Sequence, residues 1–234
     1  MLAATGSQTL WYITRGTGLV ALLLLTGSVL LGVLETTGWA RPRWPRFLTA
    51  GLHRNLSLLA TAFVAVHVAA AVVDGFAPIG WLDAVLPFHS PYRPLWLGLG
   101  AVAFDLLLAV IITSLVRRRL GLRAWRMVHW ASYACWPIAL VHGFGTGTDT
   151  PTNWVLDLSL ACLAAVLLAV WWRLWKVGRE VAVYAPVRTA ATVTSVVLPI
   201  VVVVWLFAGP LKPGWAARAG TPKSDIGTTA TTKP

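Results

Sequence analysis

Four of the five histidines of this 234-residue chain fall into two pairs inside apolar stretches. His53 and His67 lie fourteen residues apart, and His129 and His142 lie thirteen apart. Metal-binding or ionisable side chains are costly and rare inside membrane segments, so four of them at nearly matched intervals indicate a shared cause. A neutral imidazole is a good ligand for iron, and a haem iron can be held between two histidines. The pattern therefore predicts two stacked haems that use all four side chains.

The segments that must position these histidines are long apolar runs. The chain is 57% hydrophobic and 12% charged, and about 20 apolar residues are enough to cross the hydrocarbon layer as a helix. Backbone amides inside lipid must be paired within their own segment, which favours helices. We therefore predict an all-α integral membrane bundle of about six transmembrane helices. The predicted spans cover roughly residues 10–34, 50–73, 94–116, 127–145, 153–172 and 190–208.

The net charge of +11 is concentrated in three loops, which is typical of membrane topology and not of nucleic-acid binding. We predict a multi-pass protein of the cell membrane, with these three loops in the cytoplasm and both termini outside, although four basic residues of the C-terminal tail count against this. The basic residues follow the first, third and fifth spans: Arg41, Arg43 and Arg46; Arg117, Arg118, Arg119 and Arg123; and Arg173, Lys176, Arg179 and Arg188.

These spans leave no room for a second folded domain. We predict an N-terminal extension over residues 1–9, outside the membrane, and a six-helix domain over residues 10–208. Residues 209–234 are rich in Thr, Ala, Pro, Gly and Lys, which predicts a disordered C-terminal tail. Cys135 and Cys162 stand singly in different spans, so we expect them to behave as small buried apolar residues.

The depth of the histidines follows from the order of the spans. Spans two and four run in the same direction, so His53 and His129 share one depth, and His67 and His142 share another about 20 Å away. At about 100° per residue, His67 returns to within about 40° of the face of His53, whereas His142 lies about 140° from that of His129. Pro137 can change the winding between them. Alternatively, two haems approach span four from different sides.

The chain resembles the ferric reductase-like transmembrane domain family, which includes ferric reductases, NADPH oxidase membrane cores and a haem-binding subunit of periplasmic methionine sulfoxide reductase. The histidine spacings carry the resemblance over roughly residues 10–172. Four short motifs add to it: Arg15-Gly16-Thr17-Gly18, His53-Arg54, Tyr92-Arg93-Pro94-Leu95-Trp96 and Arg126-Met127-Val128-His129-Trp130. The resemblance implies two b-type haems in a helical bundle, with His53 and His129 on the inner iron and His67 and His142 on the outer iron.

Arginines are the natural partners of haem propionates, because a guanidinium pairs with a carboxylate bidentately. We expect Arg54 and Arg126 near the inner haem, although loop topology alone would also explain them. We expect Arg15 and Arg93 near the outer haem. Arg15 is the stronger candidate, since a charge inside a span normally has an anionic partner.

The function that these features predict is a transmembrane electron-transfer subunit, an oxidoreductase component without its own flavin or NAD(P)H domain. Gly143-Phe144-Gly145-Thr146-Gly147 is not GxGxxG and follows no strand. Electrons would come from a cytoplasmic flavoprotein or a quinol and pass to an external acceptor, such as ferric iron or a periplasmic redox protein. Two alternatives stay open: a haem-free small transporter whose histidines form a proton or metal path, and a purely structural subunit. The roles of Asp105, inside span three, and His89, in an outward loop, also stay open.

Overall fold

The computed structural model describes residues 2–37, 45–74, 77–147, 149–177 and 185–215. Eight α-helices lie within this part of the chain, and a one-turn 3-10 helix, Trp81–Ala84, interrupts the loop between the second and the third. The helices are α1 (Leu2–Thr36), α2 (Arg46–Val73), α3 (Pro94–Leu115), α4 (Arg117–Leu120), α5 (Leu122–His129), α6 (Ser132–Thr146), α7 (Asn153–Val177) and α8 (Ala185–Ala208).

Five helices, α1, α2, α3, α7 and α8, are long and apolar enough to cross a membrane. They correspond to five of the six predicted spans, and the described residues contain no strand. The prediction of an all-α, multi-pass membrane bundle is therefore confirmed. The residues of these helices are apolar on nearly all sides, as expected when both the neighbouring helices and the lipid are apolar.

The fourth predicted span, 127–145, is divided into the two shorter helices α5 and α6. At the junction the N–H groups of Ala131, Tyr133 and Ala134 donate to carbonyls three residues earlier, at 2.9, 3.1 and 3.0 Å. This is the tighter 3-10 pattern. Pro137 lies just beyond this junction, where it lacks an N–H for the Tyr133 carbonyl and its ring crowds that carbonyl. The span is present, but it is overwound between its two histidines.

The helix α6 lies at the centre of the bundle. Its buried side chains Trp136, Leu140 and Phe144 form a core with residues of α7 and α8. The Trp136 indole N–H also donates to Thr26 Oγ1 of α1 at 2.9 Å. On the other side α3 packs against α6, and α1 packs along α2 and against α7. Burial on several sides fixes the depth of α6 through protein contacts.

The structure describes part of each predicted terminal segment. The helix α1 begins at Leu2, so it includes most of the segment 1–9. Residues 209–215 fold back onto the bundle, where the Trp215 ring lies 5.7 Å from that of Trp96. The Trp215 indole covers apolar surface of the bundle. The composition of the tail did not indicate this contact. The rest of the predicted tail, 216–234, lies outside the described residues, as do Arg41, Arg43 and Arg179.

Candidate functional site

The four histidines form two facing pairs between α2 and the α5–α6 segment. The ring centres of His53 and His129 are 6.2 Å apart, with their planes at 75°. Those of His67 and His142 are 6.3 Å apart, with their planes at 85°. The structure thus brings together the residues that share a predicted depth. We call the end of the bundle with His53 and His129 the basic end, and the other the opposite end.

The overwound junction explains how both pairs form on one side of α2. On a regular α-helix, His142 would lie about 140° from the face of His129. Four residues wound at about 120° instead of about 100° add about 80° of rotation, which leaves a difference of about 60°. Both histidines therefore face α2, and the alternative in which they face different sides is not the arrangement observed.

Three of the histidines share one hydrogen-bond pattern, in which Nδ1 bonds to a backbone carbonyl of a neighbouring helix. The Nδ1 atom lies 2.9 Å from the Ser28 carbonyl oxygen in His53 and 2.7 Å from that of Thr14 in His67. In His142 it lies 2.8 Å from the Trp96 carbonyl oxygen. A carbonyl can only accept, so Nδ1 carries the proton and the Nε2 lone pair is free to bind a metal. This is the usual outer hydrogen bond of a metal-binding imidazole.

Each of these three carbonyls is followed, four residues later, by a glycine against which the same ring packs. A Cβ at Gly32 would lie 3.4 Å from His53 Cε1, and a Cβ at Gly18 would lie 3.0 Å from His67 Cε1. A Cβ at Gly100 would lie only 2.5 Å from His142 Cε1. We call each carbonyl and its glycine a carbonyl-glycine cradle: Ser28 with Gly32, Thr14 with Gly18, and Trp96 with Gly100.

His129 is held differently. Its buried Nδ1 atom has no hydrogen-bond partner among the described residues. Instead, its ring stacks on that of Trp125, with the ring centres 4.9 Å apart and the planes at 29°. The basic end therefore has one histidine in a cradle and one against an indole.

A cavity of about 470 Å³ opens beside the second pair. Its lining includes His67, His142, Arg15 and Thr14, and its size is within the range of cofactor sites. The Thr14 Oγ1 and Asp74 Oδ1 atoms of this lining are buried, and no described residue gives either one a hydrogen bond. Buried polar atoms usually have a partner, so a molecule in the cavity would be expected to supply one. His53 and His129 lie outside this lining.

Arg15 stands at the cavity beside a carboxylate. It forms an ion pair with Asp149, in the loop between α6 and α7, and its guanidinium lies 4.1 Å above the centre of the Trp11 ring. Both charged residues line the cavity. An anionic partner for this intramembrane arginine is therefore present within the protein, in Asp149.

The other three arginines that the sequence singled out lie in different surroundings. Arg93 is buried, and its Nη1 donates to the Thr146 carbonyl at 2.6 Å, which ties the start of α3 to the end of α6. Thr146 lines the cavity. Arg54 and Arg126 are exposed at the basic end. Their positions fit equally well with loop charges and with partners of an anionic group at that end.

The loop before α3 contributes a carboxylate to the same cavity. Asp83 Oδ2 accepts from the Gly80 backbone N–H at 2.7 Å, and Asp83 Oδ1 lies 2.7 Å from His89 Nδ1. The Gly80 N–H holds the pKa of Asp83 below its usual value, the His89 bond adds to this, and burial opposes it. His89, whose side chain is 56% exposed, therefore serves as a partner of Asp83.

A sequence model described as Ferric reductase like transmembrane component matches residues 17–140, just over half of the chain. The chain belongs to this family. The family resemblance predicted from the histidine spacing and the short motifs is thus confirmed, and this ferric reductase-like protein is a membrane redox component. Comparison with curated proteins found no match, and comparison with solved structures found none.

The family match covers three of the four histidines of this ferric reductase-like protein. His53, His67 and His129 lie inside it, and His142 lies two residues beyond its end. The case for His142 therefore depends on geometry, namely its 6.3 Å separation from His67 and its carbonyl-glycine cradle.

Histidine spacing alone did not identify the cradle glycines of this ferric reductase-like protein, which are further candidates for a functional role. Gly18 and Gly32 are fourteen residues apart on α1, the same interval as His53 and His67 on α2. Two antiparallel helices in contact bring equal intervals into register, so the repeat was a usable signal. Gly100 has no partner fourteen residues later, because Ser114 occupies that position.

Proposed function

We propose that this protein is a transmembrane electron-transfer subunit with two bis-histidine b-type haems. The ring separation within each histidine pair carries the proposal. An imidazole nitrogen about 2 Å from a metal places the ring centre about 3 Å from it, so two imidazoles on opposite sides of one iron have centres about 6 Å apart. The separation is 6.2 Å for His53 and His129 and 6.3 Å for His67 and His142.

The donor set supports a metal whose other ligands come from a macrocycle. Within the described ranges, no cluster of three or more His, Cys, Asp and Glu side chains is arranged to hold a metal ion. Two facing imidazoles would supply two ligands to an iron held between them, and the porphyrin of a haem would supply the others. The Nδ1 hydrogen bonds of His53, His67 and His142 leave their Nε2 atoms available for this role.

The protein's own contribution is to fix the ligands and to separate the two sites. When bound, a haem supplies one-electron exchange between ferric and ferrous iron. An iron bound by both histidines of a pair would have no vacant position for a substrate, which favours electron transfer over chemistry at the metal. The two pairs are about 20 Å apart along α2, within a hydrocarbon layer about 30 Å thick. They therefore form a path between the membrane surfaces.

The charges suggest how the path is oriented. The basic end includes the exposed residues Arg54 and Arg126 and the run Arg117–Arg119, so we place it in the cytoplasm of a cell-membrane protein. There the protein would receive electrons from a flavoprotein or a quinol. At the opposite end it would deliver them to an external acceptor such as ferric iron or a periplasmic redox protein. Arg15, at the cavity, is the candidate partner for a propionate.

The proposal is tested by counting haems. The purified protein should give a reduced-minus-oxidised b-type spectrum with two haems per chain by pyridine haemochrome analysis. His67→Ala and His53→Ala should each keep one haem, and the control His89→Ala should keep both. A preparation without a haem band would reject the proposal in favour of the haem-free transporter or structural subunit. Retention of both haems by His67→Ala would reject the ligand pairing.

A further inference from the structure

The fourth histidine lacks the support that the other three share. Cradles on α1 occur at a fourteen-residue interval, at Thr14 with Gly18 and at Ser28 with Gly32. On α3 the cradle of His142 is Trp96 with Gly100. The same interval along α3 leads to Val110 and Ser114, which is the position where a cradle for His129 would be expected.

The fourth position differs from the three cradles in its residues. Ser114 replaces the glycine, and its hydroxyl donates to the Val110 carbonyl at 2.6 Å. The carbonyl that would have accepted from a histidine is therefore already used. The Trp125 indole N–H donates to the same Ser114 oxygen at 3.1 Å. Trp125 is in turn four residues before His129 on α5, on the same helix face, and stacks on its ring.

We propose that Trp125, anchored by Ser114, is the positioning residue of His129 and takes the place of the missing carbonyl-glycine cradle. This inference rests on the proposed function, since it assigns a role toward a haem iron. Its consequence is that the two ends of the path differ: at the opposite end both ligands are held by hydrogen bonds, whereas at the basic end one is held by ring stacking. His129 is then the ligand that leaves its iron most readily.

The first experiment replaces the indole. In Trp125→Leu we expect the haem at the basic end to be lost or to become five-coordinate, visible as high-spin ferric signal for one of the two haems. The haem at the opposite end should stay low-spin, and it reports that the variant is folded. Exposed Trp175, on α7, gives the matched control: Trp175→Leu should keep two low-spin haems. Added imidazole should return the Trp125→Leu ferric spectrum to low spin.

Two conservative variants test the hydrogen bond between Trp125 and Ser114 while an aromatic ring stays beside His129. Trp125→Phe keeps an aromatic ring without the bond to Ser114, and Ser114→Ala removes the acceptor but keeps the indole. Both should keep two haems but release the one at the basic end faster than the unchanged protein does. If both variants and Trp125→Leu keep two low-spin haems with unchanged release rates, the positioning role is overturned. The positioning role is also overturned if these variants weaken the binding of both haems equally.

A second measurement needs no change at Trp125. His67→Ala should keep only the basic-end haem, and His53→Ala only the opposite one. Loss of the outer partner of a metal ligand typically weakens binding by about 10- to 100-fold, so cyanide should displace histidine from ferric His67→Ala at least about tenfold more readily than from His53→Ala. Equal cyanide affinities would overturn the inference. Absence of haem from the unchanged protein would instead reject the proposed function.

Discussion

The imidazole planes of His67 and His142 stand at 85° to each other, with their ring centres 6.3 Å apart. The orientation of each ring is fixed by its own helix contact, the Thr14 carbonyl for His67 and the Trp96 carbonyl for His142. Because these carbonyls belong to different helices, α1 and α3, the two planes are set independently.

This angle predicts a spectroscopic signature. Nearly perpendicular axial imidazoles leave the iron d orbitals almost degenerate, so the ferric haem gives a strongly anisotropic low-spin EPR signal. The planes of His53 and His129 are also steep, at 75°, and we expect this type of signal from both sites. Low-temperature EPR of the oxidised protein checks it. Two ordinary rhombic low-spin signals, typical of parallel planes, would contradict the observed geometry.

The cradle glycines predict a graded series of alanine variants. Gly100→Ala should displace His142 and release the opposite-end haem, because its Cβ would lie 2.5 Å from the ring. Gly18→Ala, at 3.0 Å, should weaken that haem less, and Gly32→Ala, at 3.4 Å, should be tolerated. Haem content and its loss on heating measure the series.

The controls for this series are helical glycines with open space. A Cβ at Gly16 or Gly51 meets nothing within 4 Å. Alanine there should keep both haems and stabilise the helix by about 0.5–1 kcal/mol, since glycine costs backbone entropy. An order of effects that does not follow the Cβ distances would show that the glycines do not seat the rings.

The Arg15–Asp149 ion pair predicts opposite shifts in redox potential. A positive charge disfavours the ferric state, so Arg15→Gln should lower the midpoint potential of the opposite-end haem and Asp149→Asn should raise it. At an effective dielectric of about 20, two unit charges about 10–20 Å apart interact by about 1–2 kcal/mol, so shifts of tens of millivolts are expected. Spectroelectrochemical titration should find the basic-end haem almost unchanged. Shifts of the same sign would exclude a purely electrostatic effect.

Asp83 predicts a stability difference at acidic pH. The Gly80 N–H and His89 lower the pKa of Asp83 in the folded protein, with burial opposing them. A lowered folded pKa contributes stability above the unfolded pKa of about 4 and loses it as the pH falls through the folded value. Asp83→Asn should therefore be less stable than the unchanged protein at pH 6, by about 1 kcal/mol. Thermal unfolding between pH 6 and 3 should show the difference shrinking below about pH 4.

Much of the fold could be predicted because lipid permits few solutions. Long apolar runs had to be helices, and the structure has α3 at Pro94–Leu115 and α7 at Asn153–Val177, close to the predicted 94–116 and 153–172. The break in the fourth span was harder to predict. It lies between His129 and Ser132, several residues before Pro137, and no single residue at the break marks it.

The candidate metal ligands of the site could be predicted from the sequence, but the groups that orient them could not. Histidines are rare inside spans and therefore stand out, whereas the carbonyls that orient them belong to residues of any type, such as Ser28 and Trp96. The ion pair of Arg15 with Asp149 was equally hidden, because it joins residues far apart in the chain. The indole against His129 lies four residues earlier on the same helix, α5, but its hydrogen bond to Ser114 of α3 joins two helices, and histidine spacing did not indicate it.

The enclosed position of α6 has a consequence for the lipid around the protein. At 1.5 Å per residue, its 15 residues measure about 22 Å, less than the thickness of a typical hydrocarbon layer. A lipid-facing helix of this length would tilt or thin the bilayer, but α6 is held by the helices around it. The vertical spacing of the two iron positions should thus be the same in bilayers made of short or long acyl chains.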